Sequence, residues 1–448
     1  MKFQEEKRMK KALTLVLAAT MTAGLLTGCG GNDETKATET VKTEKAEEPV
    51  EVEFWYAGGK TAVGVVQEII DNFNASQDKY TVTAVTQADY SETYQKLQAG
   101  IAGKAAPDLV LLEPDTAKVL YKKGLVETLN GYMDTDEEFQ KDDYLPVFFD
   151  CGVDETGDVF AMPAYGTTQV LYYNIEAFEK AGVKPEEIKT WQDLAEAAKA
   201  IQETGEFEYG WEPMWGPGNL IDAAFSNGAS VFNEDGTQVT INSPEWVEVW
   251  EAFRTWIHDE KTMAIHFGGQ GWEYWYNTID DVLANKAGGY TGSSGDQADL
   301  DFSIVAAMEQ PAWDEDSQSS PVAEALTLSV LESSSDEEKQ GAYEFMKYFM
   351  DAESQTKWTM ATGYIAVNTN IQDNPEYIAY TEKNPQALVP FNQAGHGSAY
   401  PDDPTNGVIY DALTVAADKV EIDGVSAQEA LDEAQKTAQE ALDAALGK

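Results

Sequence analysis

The chain has 448 residues, with 79 Asp and Glu against 30 Lys and Arg, a formal net charge of −49. A field of that sign repels nucleic acid and anionic lipid surfaces, which excludes a nucleic-acid role. Hydrophobic content of 43%, with 11 Trp and 21 Tyr, supplies real cores, and at roughly 100–200 residues per domain the length predicts two lobes.

At the start, Lys7, Arg8, Lys10 and Lys11 precede an apolar stretch from Ala12 to Leu26. A membrane span needs about 20 apolar residues, so this run reads as an export signal. It ends in Leu26-Thr27-Gly28-Cys29, the pattern of a bacterial lipobox, in which the cysteine thiol takes a diacylglycerol and becomes the mature N-terminus. Residues 1–28 are therefore expected to be a lipoprotein signal peptide and Cys29 the lipidation site, with Met9-Lys10-Lys11 as an alternative start. Loss of residues 1–28, net +3, takes the chain to −52. Residues 29–49 are polar, with nothing aromatic, and read as a disordered tether to a lipid anchor on the outer side of the cell membrane. That assignment leaves Cys151 alone, expected as an inert buried thiol.

Next, Val50, Val52, Phe54 and Tyr56 alternate with Glu51 and Glu53 as in a strand. Val65, Val66, Ile69, Ile70 and Phe73 have helical spacing, Tyr80–Val85 reads as a second strand, and residues 91–102 as a helix. The unbroken run Leu109–Leu112 suits a parallel strand buried on both faces, and the βαβαβ order predicts a parallel sheet under helices. Thr190 is expected to cap a helix, Asn233–Gly236 to form a hairpin turn between Val231 and Val239, Ser335 and Glu338 to form a capping box, and residues 426–446 to form an amphipathic helix. Trp246, Trp250, Phe253 and Trp256 have the spacing of core residues. There is no internal repeat, P-loop, GxGxxG or zinc spacing.

In four segments the chain resembles the extracellular solute-binding protein family that includes maltodextrin and glycerol-3-phosphate receptors. They are Glu53-Phe54-Trp55-Tyr56 with Phe73-Asn74-Ala75-Ser76-Gln77; Ala99–Ala102 to Ala106-Pro107-Asp108; Leu171–Asn174 to Phe178–Gly182 and Thr190-Trp191; and Trp358–Ile365. Their order covers nearly the whole mature chain, closest to the glycerol-3-phosphate branch. The resemblance implies an α/β, two-lobed periplasmic-binding-protein fold with a parallel-rich sheet in each lobe. Three hinge crossings are implied, placed near 164–168, 321–326 and 363–368. One lobe then holds residues 50–165 and 326–366, the other 166–325 and 367–448. It further implies a substrate-binding component of an ABC importer: a monomer with no cofactor or metal, whose partners are a small carbohydrate and the permease subunits.

Sugars present hydroxyl edges and C–H faces, so a site needs aromatic platforms beside carboxylate, amide and hydroxyl groups. Trp55 ends the first strand, and Trp211 and Trp215 lie in the Gly/Pro-rich loop 210–218. In the run Trp272, Tyr274, Trp275, Tyr276, one ring is expected to face solute. The resemblance adds Tyr90, Glu113, Thr167, Ser294 and Tyr364, and Glu324 beside Ala325, where the branch uses a glycine. Where phosphate-ester binders of the branch carry an arginine, this chain places Gly407. Without a guanidinium, holding a phosphate dianion is costly. A neutral mono- or oligosaccharide is therefore expected over glycerol-3-phosphate or a glycerophosphodiester. A secreted carbohydrate-active enzyme is the other class, but no HExxH or GxSxG supports it.

Overall fold

Alternation at residues 50–56 builds β1 (Val50–Ala57), whose neighbours are β2 (Tyr80–Gln87) and β3 (Leu109–Leu112). The computed structural model describes residues 48–405 and 407–448. The expected signal peptide, Cys29 and nearly all of the expected tether lie outside the described residues. β1 is parallel to both neighbours, with Val50 opposite Tyr80 and Phe54 opposite Leu109. The helices Lys60–Ser76 and Tyr90–Gly103 make the two crossovers. All four residues of β3 are buried, as its unbroken apolar run requires.

Two long strands carry the chain onward. β4 (Met162–Asn174) and β8 (Ala323–Val330) lie antiparallel, and β8 also pairs antiparallel with β3. Three short strands complete the sheet: β5 (Glu212–Pro213), β6 (Gly289–Ser293) and β7 (Val305–Met308). The order is β2-β1-β3-β8-β4-β6-β5, with β7 also on β4. The expected parallel richness is a property of the first half only. In the second, β4 is antiparallel to β6 and β7, and only β5 and β6 run parallel. Strand direction there follows from β4 entering between two strands that run the other way, which no local pattern encodes.

Apolar side chains gather into two main cores. Val52, Phe54, Ile69, Phe73, Phe345 and Trp358 belong to the first; Leu171, Trp191, Trp211, Trp250, Leu413 and Leu431 to the second. Trp246, Phe253 and Trp256 join the second core, as their spacing predicts. Near residues 166, 325 and 365 the chain runs in three adjacent segments. Gly166 pairs with Ala325, donates to the Ile365 carbonyl at 2.7 Å and accepts from the Ile365 amide at 2.9 Å. A Cβ at residue 166 would lie 2.3 Å from the Phe148 ring, so glycine permits the close pairing. Val367 lies in the first core, and Asn368 donates to the Met350 carbonyl at 3.0 Å.

Local signals hold where they were strong. Thr190 with Asp193, and Ser335 with Glu338, form reciprocal capping boxes, and a helix spans Ala427–Ala445. Phe232 bridges Val239 across the turn at Asn233–Gly236. Gly210 packs against main chain: a Cβ there would sit 1.9 Å from the Ala198 carbonyl oxygen. Because backbone cannot step aside as a side chain can, Gly210→Ala should cost about 3 kcal/mol, read as a lower urea midpoint.

Candidate functional site

Glu113 follows β3 and precedes the helix Pro114–Lys122, and its carboxylate makes no capping bond. Thr167 and Glu324 are cross-strand partners on β4 and β8. Tyr90 opens one helix, and Tyr364 follows the helix Ala352–Thr362. All five predicted residues line two adjoining cavities of about 870 and 420 Å³. The cavities share Glu113, Thr167, Trp275, Ser293, Glu324 and Tyr410, so they form one continuous cleft.

The smaller cavity is walled by rings. The Tyr90 and Tyr165 hydroxyls are 3.5 Å apart, Tyr165 and Tyr364 have centroids 4.6 Å apart, and Tyr90 meets Trp272 edge-on at 6.2 Å. The Tyr364 ring lies over Gly295, where a Cβ would approach it to 2.3 Å. Trp272, Tyr274, Trp275 and Tyr276 all line this cavity, where a single one of the four was expected to. They stand at the start of the helix Glu273–Leu283, where the end of the helix as well as its side meets the cleft. The Trp275 indole donates to Asp296 Oδ1 at 2.8 Å, and the Tyr290 hydroxyl to Oδ2 at 3.2 Å.

The larger cavity is acidic. Seven carboxyl residues line it against one lysine, and that Lys118 is paired with Asp402 at 2.6 Å. Glu324 is surrounded by protein, yet its side chain meets the water of the cleft. This partial burial, with repulsion from Glu113, Asp115 and Asp222, raises its carboxyl to about 7. Burial, then the charge of Asp115, raises Glu113. Burial also lifts Asp222 to about 7, although it accepts from Gln310 Nε2 at 2.6 Å and the Val322 amide at 2.9 Å. Carboxyls that hold their protons near neutrality both donate and accept, which suits hydroxyl groups.

Four predicted residues line neither cavity. Trp55 faces away from Phe54 and Tyr56, as strand alternation dictates, and packs on the cluster of Leu97 and Val110; its indole donates to Glu53 at 2.7 Å. Trp211 is 0% exposed and donates to Thr291 Oγ1 at 3.0 Å, because the short strand that follows it turns the loop into the second core. Trp215 stands behind the wall, edge-on to Tyr274 at 4.9 Å, with its indole donating to Asp418 at 2.8 Å. Ser294 is fully buried; one step earlier on the pleat, Ser293 faces the cleft, 3.3 Å from the Thr167 hydroxyl.

Cys151 is half-buried and borders the larger cavity instead of lying in the core, because the turn Asp150–Gly152 brings it to the cleft. Burial pushes its thiol up to about 12, so it stays protonated. Sequence reasoning missed Asp222 and Tyr410. An acid inside the apolar run 219–224, and a tyrosine off the Ile409-Ala412-Leu413-Ala416 stripe, were the available signals.

Two α/β lobes around an aromatic and carboxylate-lined cleft define a receptor for a small solute. Residues 68–386 match the family described as bacterial extracellular solute-binding protein, and the chain belongs to that family. It is 27% identical over 359 residues to the sn-glycerol-3-phosphate-binding periplasmic protein UgpB of Yersinia pestis bv. Antiqua (strain Antiqua), covering 77% of this chain and 80% of that one. Its fold is similar to UgpB from Mycobacterium tuberculosis, solved with glycerophosphocholine, at TM-score 0.78 and 18% identity over 88% of this chain and 99% of that one. It is also similar to the GacH receptor of Streptomyces glaucescens GLA.O, solved unliganded and with acarbose, at TM-score 0.76 and 19% identity over the same shares. Among the described residues no helix is long and apolar enough to cross a membrane.

Proposed function

We propose that this chain is the substrate-binding lipoprotein of an ABC importer, and that it captures an uncharged mono- or oligosaccharide in the cleft and delivers it to the permease. The observation that carries the ligand class is the lining of the larger cavity, seven carboxyl residues and one paired lysine, beside a wall of aromatic rings. Sugar hydroxyls satisfy such carboxyls, and sugar C–H faces stack on such rings. Closure about the three adjacent segments near Gly166, Ala325 and Ile365 traps the solute, and the permease reads the closed shape. One lobe takes residues 50–165 and 326–366 and the other 166–325 and 367–448, a division that two separate apolar cores support. Cys29 anchors the chain; labelled palmitate should enter the wild type in cells and not Cys29→Ser.

The names of the 27%-identical relatives favour a second reading, glycerol-3-phosphate. The site's charge opposes it. Arg254, the one arginine among the described residues, is held by Glu251 and Asp259, each at 2.6 Å. The Gly407 amide, at the start of the helix Val408–Glu421, already donates to Asp403 at 3.1 Å. In a thermal-shift screen, one class of sugar should raise Tm, by about RT ln(1 + [L]/Kd) in stability, and glycerol-3-phosphate should not. A shift with phosphate esters alone would overturn the ligand class and leave the receptor reading standing.

A further inference from the structure

Away from the cleft, β5 carries a buried acid with no partner. Glu212 is 0% exposed, and neither carboxylate oxygen has a hydrogen-bond partner among the described residues. Leaving such a group unpaired costs several times what an ordinary hydrogen bond contributes, so its surroundings call for an explanation.

Those surroundings hold two further donors. The Trp211–Met263 bridge, with the Ala264 amide donating to the Trp211 carbonyl at 3.1 Å, lays the segment leading to His266 along β5. His266 Nε2 is then 3.7 Å from Glu212 Oε1 and 3.0 Å from Asp281 Oδ2. One ligand atom from each of the three residues lies within 4.8 Å of the others. We infer that Glu212, His266 and Asp281 form a binding site for a divalent transition-metal ion of the zinc type.

The donor set selects among ions. Zinc bound at about 2.0–2.1 Å in a tetrahedron separates neighbouring donors by roughly 3.4 Å, which the observed 3.0 and 3.7 Å bracket. Calcium needs six to eight oxygen ligands and magnesium keeps an octahedral oxygen shell, and neither favours imidazole. His266 is the ligand that water reaches, with 34% of its side chain exposed, so the fourth position belongs to water. Lys286 binds the other oxygen of Asp281, Oδ1, at 2.7 Å, an outer partner that orients the carboxylate. The ligands come from three separate elements, and Asp281 lies on the helix whose first turn presents Tyr274 and Trp275 to the cleft. The ion therefore clamps the aromatic wall from behind. Intervals of 54 and 15 residues between the ligands match no short metal motif, which is why the sequence does not announce the site.

The test uses the whole protein, stripped with EDTA and dialysed against micromolar ZnCl2. Wild type should retain one zinc per chain by elemental analysis and gain about 2–4 °C in Tm, while MgCl2 and CaCl2 give no shift. Glu212→Gln and His266→Ala should each lose both the zinc and the gain, with metal-free Tm values recorded to show that they fold. His396→Ala removes a surface histidine paired with Glu309 at 2.7 Å, and should behave as wild type. Zinc retention by His266→Ala equal to that of wild type, or its loss in His396→Ala alone, would overturn the assignment. Neither result bears on the solute reading.

Discussion

Glu113→Ala should weaken sugar binding by about 10- to 100-fold without lowering the Tm of the free protein. Its carboxylate faces the cleft, caps no helix by a side-chain bond and stands beside Asp115, so removing it relieves repulsion. One hydroxyl bond to a carboxylate contributes roughly 1.5–3 kcal/mol, at about 1.4 kcal/mol per tenfold change in affinity. Trp211→Ala should do the reverse. A fully buried tryptophan in the second core leaves a cavity worth about 3–5 kcal/mol of stability, and the Thr291 hydroxyl loses its donor. Calorimetric titration and urea unfolding of both variants separate the two roles. Equal affinity in Glu113→Ala and wild type would remove Glu113 from the site, and an unchanged urea midpoint in Trp211→Ala would contradict its place in the core.

Stability of the metal-free protein should fall as pH rises from about 5 to 8.5. Burial raises Asp222 to about 7 and Asp296 to about 8, above the ordinary carboxylate range. A raised folded-state value means that the native chain holds protons the unfolded chain has released. The resulting stability is complete below the unfolded value near 4 and is lost as pH climbs through about 7 and 8. For the two groups together the loss is on the order of 5 kcal/mol, read from urea midpoints across that range. Asp222→Asn should flatten the curve at its middle and Asp296→Asn at its alkaline end. A wild-type curve that stays level or rises with pH would refute the assignment of neutral buried acids.

Family and first-lobe architecture were legible because local rules agree there. The apolar run of β3, the spacing of Val65 to Phe73 and the two capping boxes each specify an element on their own terms. Glu113, Thr167, Glu324, Tyr90 and Tyr364 were placed by resemblance and meet in the cleft. The candidate tryptophans Trp55, Trp211 and Trp215 line neither cavity, for a physical reason. An indole buries a large apolar area and donates one hydrogen bond, and core, cleft wall and outer sheet face all satisfy that need. Trp55, Trp211 and Trp275 differ in what the rest of the fold sets against them: the cluster of Leu97 and Val110, the second core, and the cleft.

By itself the sequence determined the first three strands and their parallel run, the capped helices, and a net charge hostile to anions. These depend on side-chain periodicity, on capping atoms a few residues apart and on composition, all of which are local or additive. Tertiary structure alone decided that β4 runs antiparallel to β6 and β7, that Ser293 and not Ser294 lines the cleft, and that Glu212, His266 and Asp281 converge. Each of those turns on which distant backbone lies alongside, and a shift of one residue in a strand sends a side chain to the opposite face.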